Sequence, residues 1–249
     1  MIKITGDIYL GSTDISIEAS AMIALNSSSF LFANLENAIY FKEAILRNDR
    51  KAILSVDKER LKHFIDMFDP EFLFGLGNNH INDLGHNGLV NTKEQLDKME
   101  IKHTGAGLDV EVQKPLVIND QGKSIAFLTL SSDLPEVMAI VAQDDTLGVL
   151  DYEDPKVIDI IQGWRKNVDY FVVIPHWGRE YLRFPAYHLR KRAYQWIEAG
   201  ADLIVGHHPH VIQGREIYRG KMIYYSLGNF IFYTLFPTRR SSDHRKSVV

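Results

Sequence analysis

Short apolar runs broken by polar clusters recur along the chain and alternate between two spacings. Ile2–Leu10, Phe30–Leu35, Ala52–Val56, Phe72–Leu76, Ser124–Leu130, Tyr170–Ile174, Leu203–Val205 and Met222–Tyr225 are short and rich in branched and aromatic residues, which predicts strands. Between them Lys58–Met67, Val90–Met99, Pro155–Lys166 and Pro185–Ala199 carry apolar residues at helical spacing. Strands that alternate with helices predict an α/β fold. No internal repeat, heptad array or low-complexity linker interrupts the pattern, so residues 1–235 are read as one domain.

The polar clusters are not scattered. Gly6-Asp7, Asn34–Asn37 (NLEN), Gly77–Asp83 (GNNHIND), His176–Glu180 (HWGRE) and Gly206–His210 (GHHPH) each follow a strand candidate. In α/β sheets the carboxyl ends of the strands form the ligand-binding face. Five clusters far apart in sequence are therefore expected to meet on one edge.

Composition narrows what they do there. The 249 residues include no cysteine, which removes disulfides, thiolate nucleophiles and cysteine-based metal sites. Any metal must sit on His, Asn, Asp or Glu. A formal charge of -4 and a pI near 6.2 give no basic footprint, so no nucleic-acid partner is expected. No apolar run approaches the roughly 18 residues of a membrane span, and MIKITGDIYLG lacks a signal-peptide plan. The chain as written is expected to be cytoplasmic.

The last residues read differently. FPTRRSSDHRKSVV breaks abruptly from YYSLGNFIFY, which alternates like a strand. Pro237–Asp243 can be encoded by C followed by CTACACGACGCTCTTCCGAT, which resembles a common short-read sequencing adapter. Its reverse complement after a single C encodes His244–Val249 and a stop codon. Residues 236–249 are accordingly read as a non-native tail, and the remainder, without Arg239, Arg240, Arg245 and Lys246, as more acidic than the whole.

A lone histidine near an apolar segment is usually structural. His176 differs because VVIPHWG delivers it straight from a buried-looking strand beside Gly178. His208 and His210 flank Pro209, and in an extended segment residues two apart project to the same side, with His207 pointing the other way. Asp7, Glu36, Asn79, His176, His208 and His210 together suit a dinuclear site for two divalent transition-metal ions such as Mn, Fe or Zn. Two ions about 3.5–4 Å apart clamp the attacking and leaving oxygens of a phosphoryl displacement. Asp7 or Glu36 could bridge them, Asn79 could lend its amide oxygen, and His80 could protonate the leaving group. Asp7 also suits a turn after Gly6, and Asn78 and Asn79 a left-handed turn. For Asp83 a helix cap competes evenly with a bond to a ligand histidine. Glu36 is harder to explain structurally, since an unpaired carboxylate after so apolar a run is costly to bury. A phosphate loop and a serine nucleophile elbow are both absent.

GDIYLG, NLENAI, GNNHINDLGHNGL, HTGAG, HWGREY, GADLIVGHHPHVIQG and YSLGNFIF, in order from Gly6 to Phe232, resemble the CapA-type poly-gamma-glutamate capsule-synthesis family, related to the calcineurin-like metallophosphoesterases. The resemblance implies a four-layer α/β/β/α sandwich with metal at the strand ends. It places the superfamily's Asn-His pair on Asn79 and His80, its single histidine on His176, its His-x-His on His208 and His210, and its first acidic block on Asp7. Two departures stand out: Leu35-Glu36 replaces a Gly-Asp block, and Tyr9 occupies the place of a histidine, a lost imidazole that weakens one metal position. The expected role is a metal-dependent phosphoesterase-like hydrolase of capsule or poly-gamma-glutamate biosynthesis. The alternative is a non-catalytic accessory protein that binds anionic polymer or a capsule-synthase partner. The family would continue beyond GNFIF, so a C-terminally truncated domain is expected.

Overall fold

Two parallel-rich sheets pack face to face, and helices cover both outer surfaces. The computed structural model describes residues 1–12, 15–44, 46 and 52–232; the tail at 236–249 lies outside the described residues. In chain order the elements are β1 (Ile2–Tyr9), α1 (Ala19–Asn26), β2 (Phe30–Leu35), β3 (Ala38–Ile39), β4 (Ser55–Val56), α2 (Lys58–Ile65), β5 (Glu71–Gly75), α3 (Gly85–Lys98), β6 (Lys102–Thr104), α4 (Asp109–Val112), β7 (Leu116–Asp120) and β8 (Lys123–Leu130). After these come α5 (Lys156–Arg165), β9 (Tyr170–Pro175), α6 (Tyr187–Ala199), β10 (Leu203–Val205), β11 (Arg215–Tyr218), β12 (Lys221–Tyr224) and β13 (Asn229–Phe232).

The first sheet has the order β13-β1-β2-β5-β6 and is parallel throughout. The second has the order β11-β12-β10-β9-β8-β7, with antiparallel hairpins at its two edges. Because both faces of the inner strands are covered, their runs are apolar without a break, and strand alternation then sorts the side chains. Leu31, Ala33 and Leu35 of β2 turn outward onto Leu25, Leu61, Phe64, Leu89 and Leu96 of the helices. Phe32, between them, turns inward and stacks on Phe127 of the second sheet at 4.9 Å. Ala126 and Leu128 flank Phe127 and meet Val157, Ile161, Leu189 and Trp196 of α5 and α6. Three apolar layers thus separate four layers of secondary structure, which is the expected α/β/β/α sandwich.

Some expected elements change. Of Ala52–Val56 only Ser55–Val56 is a strand, and it pairs with Ala38–Ile39 in a separate ribbon. The alternating run after Met222 is split: Tyr224 ends β12 in the second sheet, while Asn229–Phe232 crosses to the edge of the first. Among the described residues no helix is long and apolar enough to cross a membrane.

Candidate metal centre

The parallel strands point their carboxyl ends the same way, so β1, β2 and β5 of one sheet and β9 and β10 of the other deliver their following loops to a common cleft. Strand β1 changes register on both sides of Asp7. Gly6 makes this possible, since a Cβ there would lie 2.0 Å from the carbonyl oxygen of Gly228. The Asp7 N–H donates to that same carbonyl at 3.0 Å. The bulge aims the fully buried Asp7 carboxylate into the cleft.

Asn34 is the hub. Its Nδ2 amide donates to Asp7 Oδ1 at 2.8 Å and to Glu36 Oε1 at 3.2 Å, and lies 3.2 Å from His176 Nδ1. Asn78 in turn donates to Asn34 Oδ1 at 3.1 Å and fixes the amide's orientation. On its far side the His176 ring meets Asn79, whose Oδ1 lies 2.9 Å from Nε2. Glu36 Oε1 lies 3.4 Å from the same nitrogen. One ligand atom each from Asp7, Glu36 and His176 falls within a 4.8 Å group.

The electrostatics of this group are unbalanced. Among the described residues no Lys or Arg pairs with Asp7 or Glu36, and Glu36 Oε2 is buried without a hydrogen-bond partner. Burial first, and the nearby Asp7 charge second, push the Glu36 carboxyl well above its usual range. Burial, followed by the neighbouring His208 and His210, holds His176 well below the ordinary histidine value, hence neutral. A neutral imidazole beside two uncompensated carboxylates and an orphaned oxygen is a donor set that fits a divalent cation.

The remaining sequence-predicted residues also arrive. His208 Nδ1 is 3.0 Å from His176 Nε2, and the His208 backbone N–H donates to Asp7 Oδ2 at 3.1 Å. His210 Nδ1 is 3.6 Å from Asp7 Oδ2 and 2.9 Å from Asn229 Oδ1. They do not come together as an extended i, i+2 pair, however. His208 has φ 95° and His210 φ 56°, so both are left-handed and the segment coils around Pro209. His207, expected to point the other way, is buried: its Nε2–H donates to the Thr5 carbonyl at 2.9 Å, just ahead of the Asp7 bulge.

His80 stands at the rim, its side chain 13% exposed. Asp83 Oδ2 lies 2.7 Å from His80 Nδ1 and accepts the Leu54 N–H at 2.8 Å. Asp83 is therefore no cap for α3, which starts after Leu84 without a side-chain cap. Its histidine is His80, not a member of the buried group. Tyr9 packs edge-on against Phe232 at 5.4 Å, and Phe232 covers the His210 ring at 4.5 Å, so an aromatic wall stands where the superfamily has an imidazole. Sequence reasoning did not single out Asn34; its signal was the i, i+2 spacing to Glu36 at a strand end.

The pattern of the family described as "Bacterial capsule synthesis protein PGA_cap" matches residues 7–234. The chain belongs to that family. It is 32% identical over 206 residues to the PGA biosynthesis protein CapA of Bacillus subtilis (strain 168), a match that takes in 83% of this chain and 54% of that one. It is 30% identical over 215 residues to the capsule biosynthesis protein CapA of Bacillus anthracis, covering 84% and 51%. The chain thus spans about half the length of these PGA_cap relatives. Among solved structures, one of a Staphylococcus aureus protein named as a 5'-nucleotidase superposes on 90% of the chain and 47% of its own, with a TM-score of 0.52 and 14% identity. That likeness concerns the fold alone and agrees with a metallophosphoesterase-like sandwich.

Proposed function

We propose that this PGA_cap member is a metal-dependent hydrolase of the phosphoesterase type that serves capsule or poly-gamma-glutamate biosynthesis. The observation that carries the reading is the orphaned Glu36 Oε2 in the buried Asp7–Glu36–His176 group, which no Lys or Arg among the described residues balances. Asp7, Glu36, Asn79, His176, His208 and His210 would hold two divalent ions of the Mn, Fe or Zn kind, the second position being the weaker. When bound, such ions supply Lewis acidity and an activated water.

The chain's own residues do the rest. Asn34 fixes both carboxylates and the His176 ring in one orientation. Asp83 anchors His80 through Nδ1 and leaves Nε2 to protonate a leaving oxygen, the role of a positioned general acid. A second reading, an accessory protein that binds anionic polymer or a capsule-synthase partner, is favoured by one feature: the Tyr9–Phe232 aromatic pair takes the place of a ligand imidazole.

The test is metal content and turnover together. After reconstitution with manganese, zinc or iron, the protein should retain metal by mass spectrometry and hydrolyse members of a phosphate-ester panel. His80→Ala should lower turnover by about 10²–10⁴-fold with metal content and melting temperature unchanged. Failure to retain any of the three metals would sink the enzyme reading.

A further inference from the structure

The loop between His176 and α6 carries a backbone anomaly beside the candidate centre. Tyr181 has φ 63° at the third position of an Arg179–Leu182 turn, where Gly or Asn is the economical choice. A bulky aromatic residue there is strained and persists only when the surroundings impose it. The imposing contacts are visible. The Tyr181 N–H donates to the Pro209 carbonyl at 2.8 Å, and Gln213 Nε2 donates to the Leu182 carbonyl at 2.9 Å. The loop is therefore stapled on both sides to the segment that carries His208 and His210, and the Tyr181 ring lies 6.1 Å from the His210 ring.

What the staples display is unusual for a surface. Tyr181 is 55% exposed, Leu182 49%, Phe184 82% and, across the Gln213 link, Ile212 58%. Arg179 and Arg183 are exposed on the same loop, and neither has an ion-pair partner among the described residues. The arginines of α6 and its neighbour turn differ: Arg190, Arg192 and Arg219 are paired with Glu216, Glu153 and Glu198. Glu180, between the two free arginines, makes no ion pair with either and instead lies within electrostatic reach of Glu36. Two unpaired guanidinium groups interleaved with exposed apolar side chains match a ligand in which anionic groups are spaced by aliphatic carbon.

We infer that the stapled loop Arg179–Phe184 is a recognition rim for an extended anionic chain of this kind, with Tyr181 as the platform over the metal-side histidine and Arg179 and Arg183 as the charge partners. The inference rests on the reading of the centre as a hydrolytic or polymer-binding site and says which part of the ligand the rim holds. Strain at Tyr181 fixes the platform in place, so the ligand need not order it on binding.

Titration calorimetry of the manganese-reconstituted protein with short poly-gamma-glutamate, and separately with inorganic phosphate, tests this. Tyr181→Gly, and Arg179→Ala with Arg183→Ala, should each weaken polymer binding by about tenfold or more and change phosphate binding by less than about twofold. Tyr181→Gly should melt at the same or a higher temperature, because glycine relieves the positive φ. Tyr181→Phe should keep polymer affinity within about twofold, since the ring supplies the platform. Unaltered polymer binding in both variants, parallel loss of phosphate binding, or no polymer binding by the wild type overturns the rim. Phosphate-ester turnover, read on the same preparations, reports on the enzyme reading separately: a protein that binds polymer through the rim and hydrolyses nothing rejects the enzyme and keeps the rim.

Discussion

The two edges of the paired sheets are built from similar residues to opposite ends. At the amino ends of the strands several carboxylates are paired with cations. Lys123 pairs with Asp169 at 2.9 Å, Lys221 with Asp202 at 2.5 Å, the terminal amine with Asp120 at 2.5 Å, and Lys102 with Glu71. Asp169 and Asp202 also accept the Ser124 and Phe171 N–H groups at 2.9 Å, tying adjacent strands together. At the carboxyl ends Asp7 and Glu36 are deeper and, among the described residues, pair with no Lys or Arg. Backbone conformation follows the same division. The left-handed residues Gln121 and Arg219 sit beside Gly122 and Gly220 in hairpin turns at the amino edge, where that conformation matches the twist of the strands. Tyr181, His208 and His210 adopt it at the carboxyl edge without a hairpin to justify it. One edge is optimised for stability, and the other retains unbalanced charge and strain where a ligand can use them.

The comparison breaks most sharply at Glu36. Glu36→Gln keeps the shape and ends the repulsion between two buried carboxylates, so the metal-free protein should melt at a higher temperature. The same change should lower metal retention and phosphate-ester turnover by at least about 100-fold. Calorimetric melting with and without manganese, alongside an ester assay, reads both quantities. A stabilised variant with full activity would mean that the imbalance at the carboxyl edge has no functional content.

His207 probes how the carboxyl edge is held. Its ring clamps the carbonyl of Thr5, a buried residue two positions before Asp7. His207→Phe leaves that carbonyl without a donor, which should cost about 1–3 kcal/mol of stability. Because the bulge that aims Asp7 then loosens, metal affinity should also fall by about 10–100-fold. His207→Gln, which retains an N–H donor, should recover part of both. A purely structural role would lower the melting temperature and leave metal affinity where it was.

How much of this was legible in the sequence differs between the same two edges. The carboxyl edge was readable because each strand candidate ends in a polar cluster that breaks an apolar run, and Asp7, Glu36, Asn79, His176, His208 and His210 do converge. Their local geometry was not readable: projecting His208 and His210 from an extended segment failed because the loop coils through left-handed backbone, a tertiary choice imposed by Asp7 and Pro209 contacts. Asn34 was hidden inside a named cluster, since an asparagine at a strand end looks like any turn residue. At the amino edge and sheet margins the pattern was weakest. Lys102–Thr104 is a short edge strand, polar in sequence, and Ala19–Asn26 is apolar nearly all round, so neither shows the periodicity of its element.

The smallest effect is expected at Asp169, on the amino edge, and it differs from the others in its pH signature. The Ser124 N–H, then Lys123 and the Ser124 hydroxyl, hold this carboxyl at about 2. That lies below the unfolded aspartate value of about 3.9. A depressed folded value means that the stabilisation is fully present above the unfolded value and is lost as pH falls towards the folded one. Asp169→Asn should therefore lower the melting temperature by only a few degrees at neutral pH, because the group is exposed and screened by solvent. The gap from wild type should narrow below about pH 4 and close near pH 2. Metal retention should not change at any pH where the protein is folded, because the clamp sits at the amino end of β9 and His176 follows its carboxyl end, the length of the strand away. A gap that instead widened on acidification, or a loss of metal in Asp169→Asn, would show that the two edges are coupled.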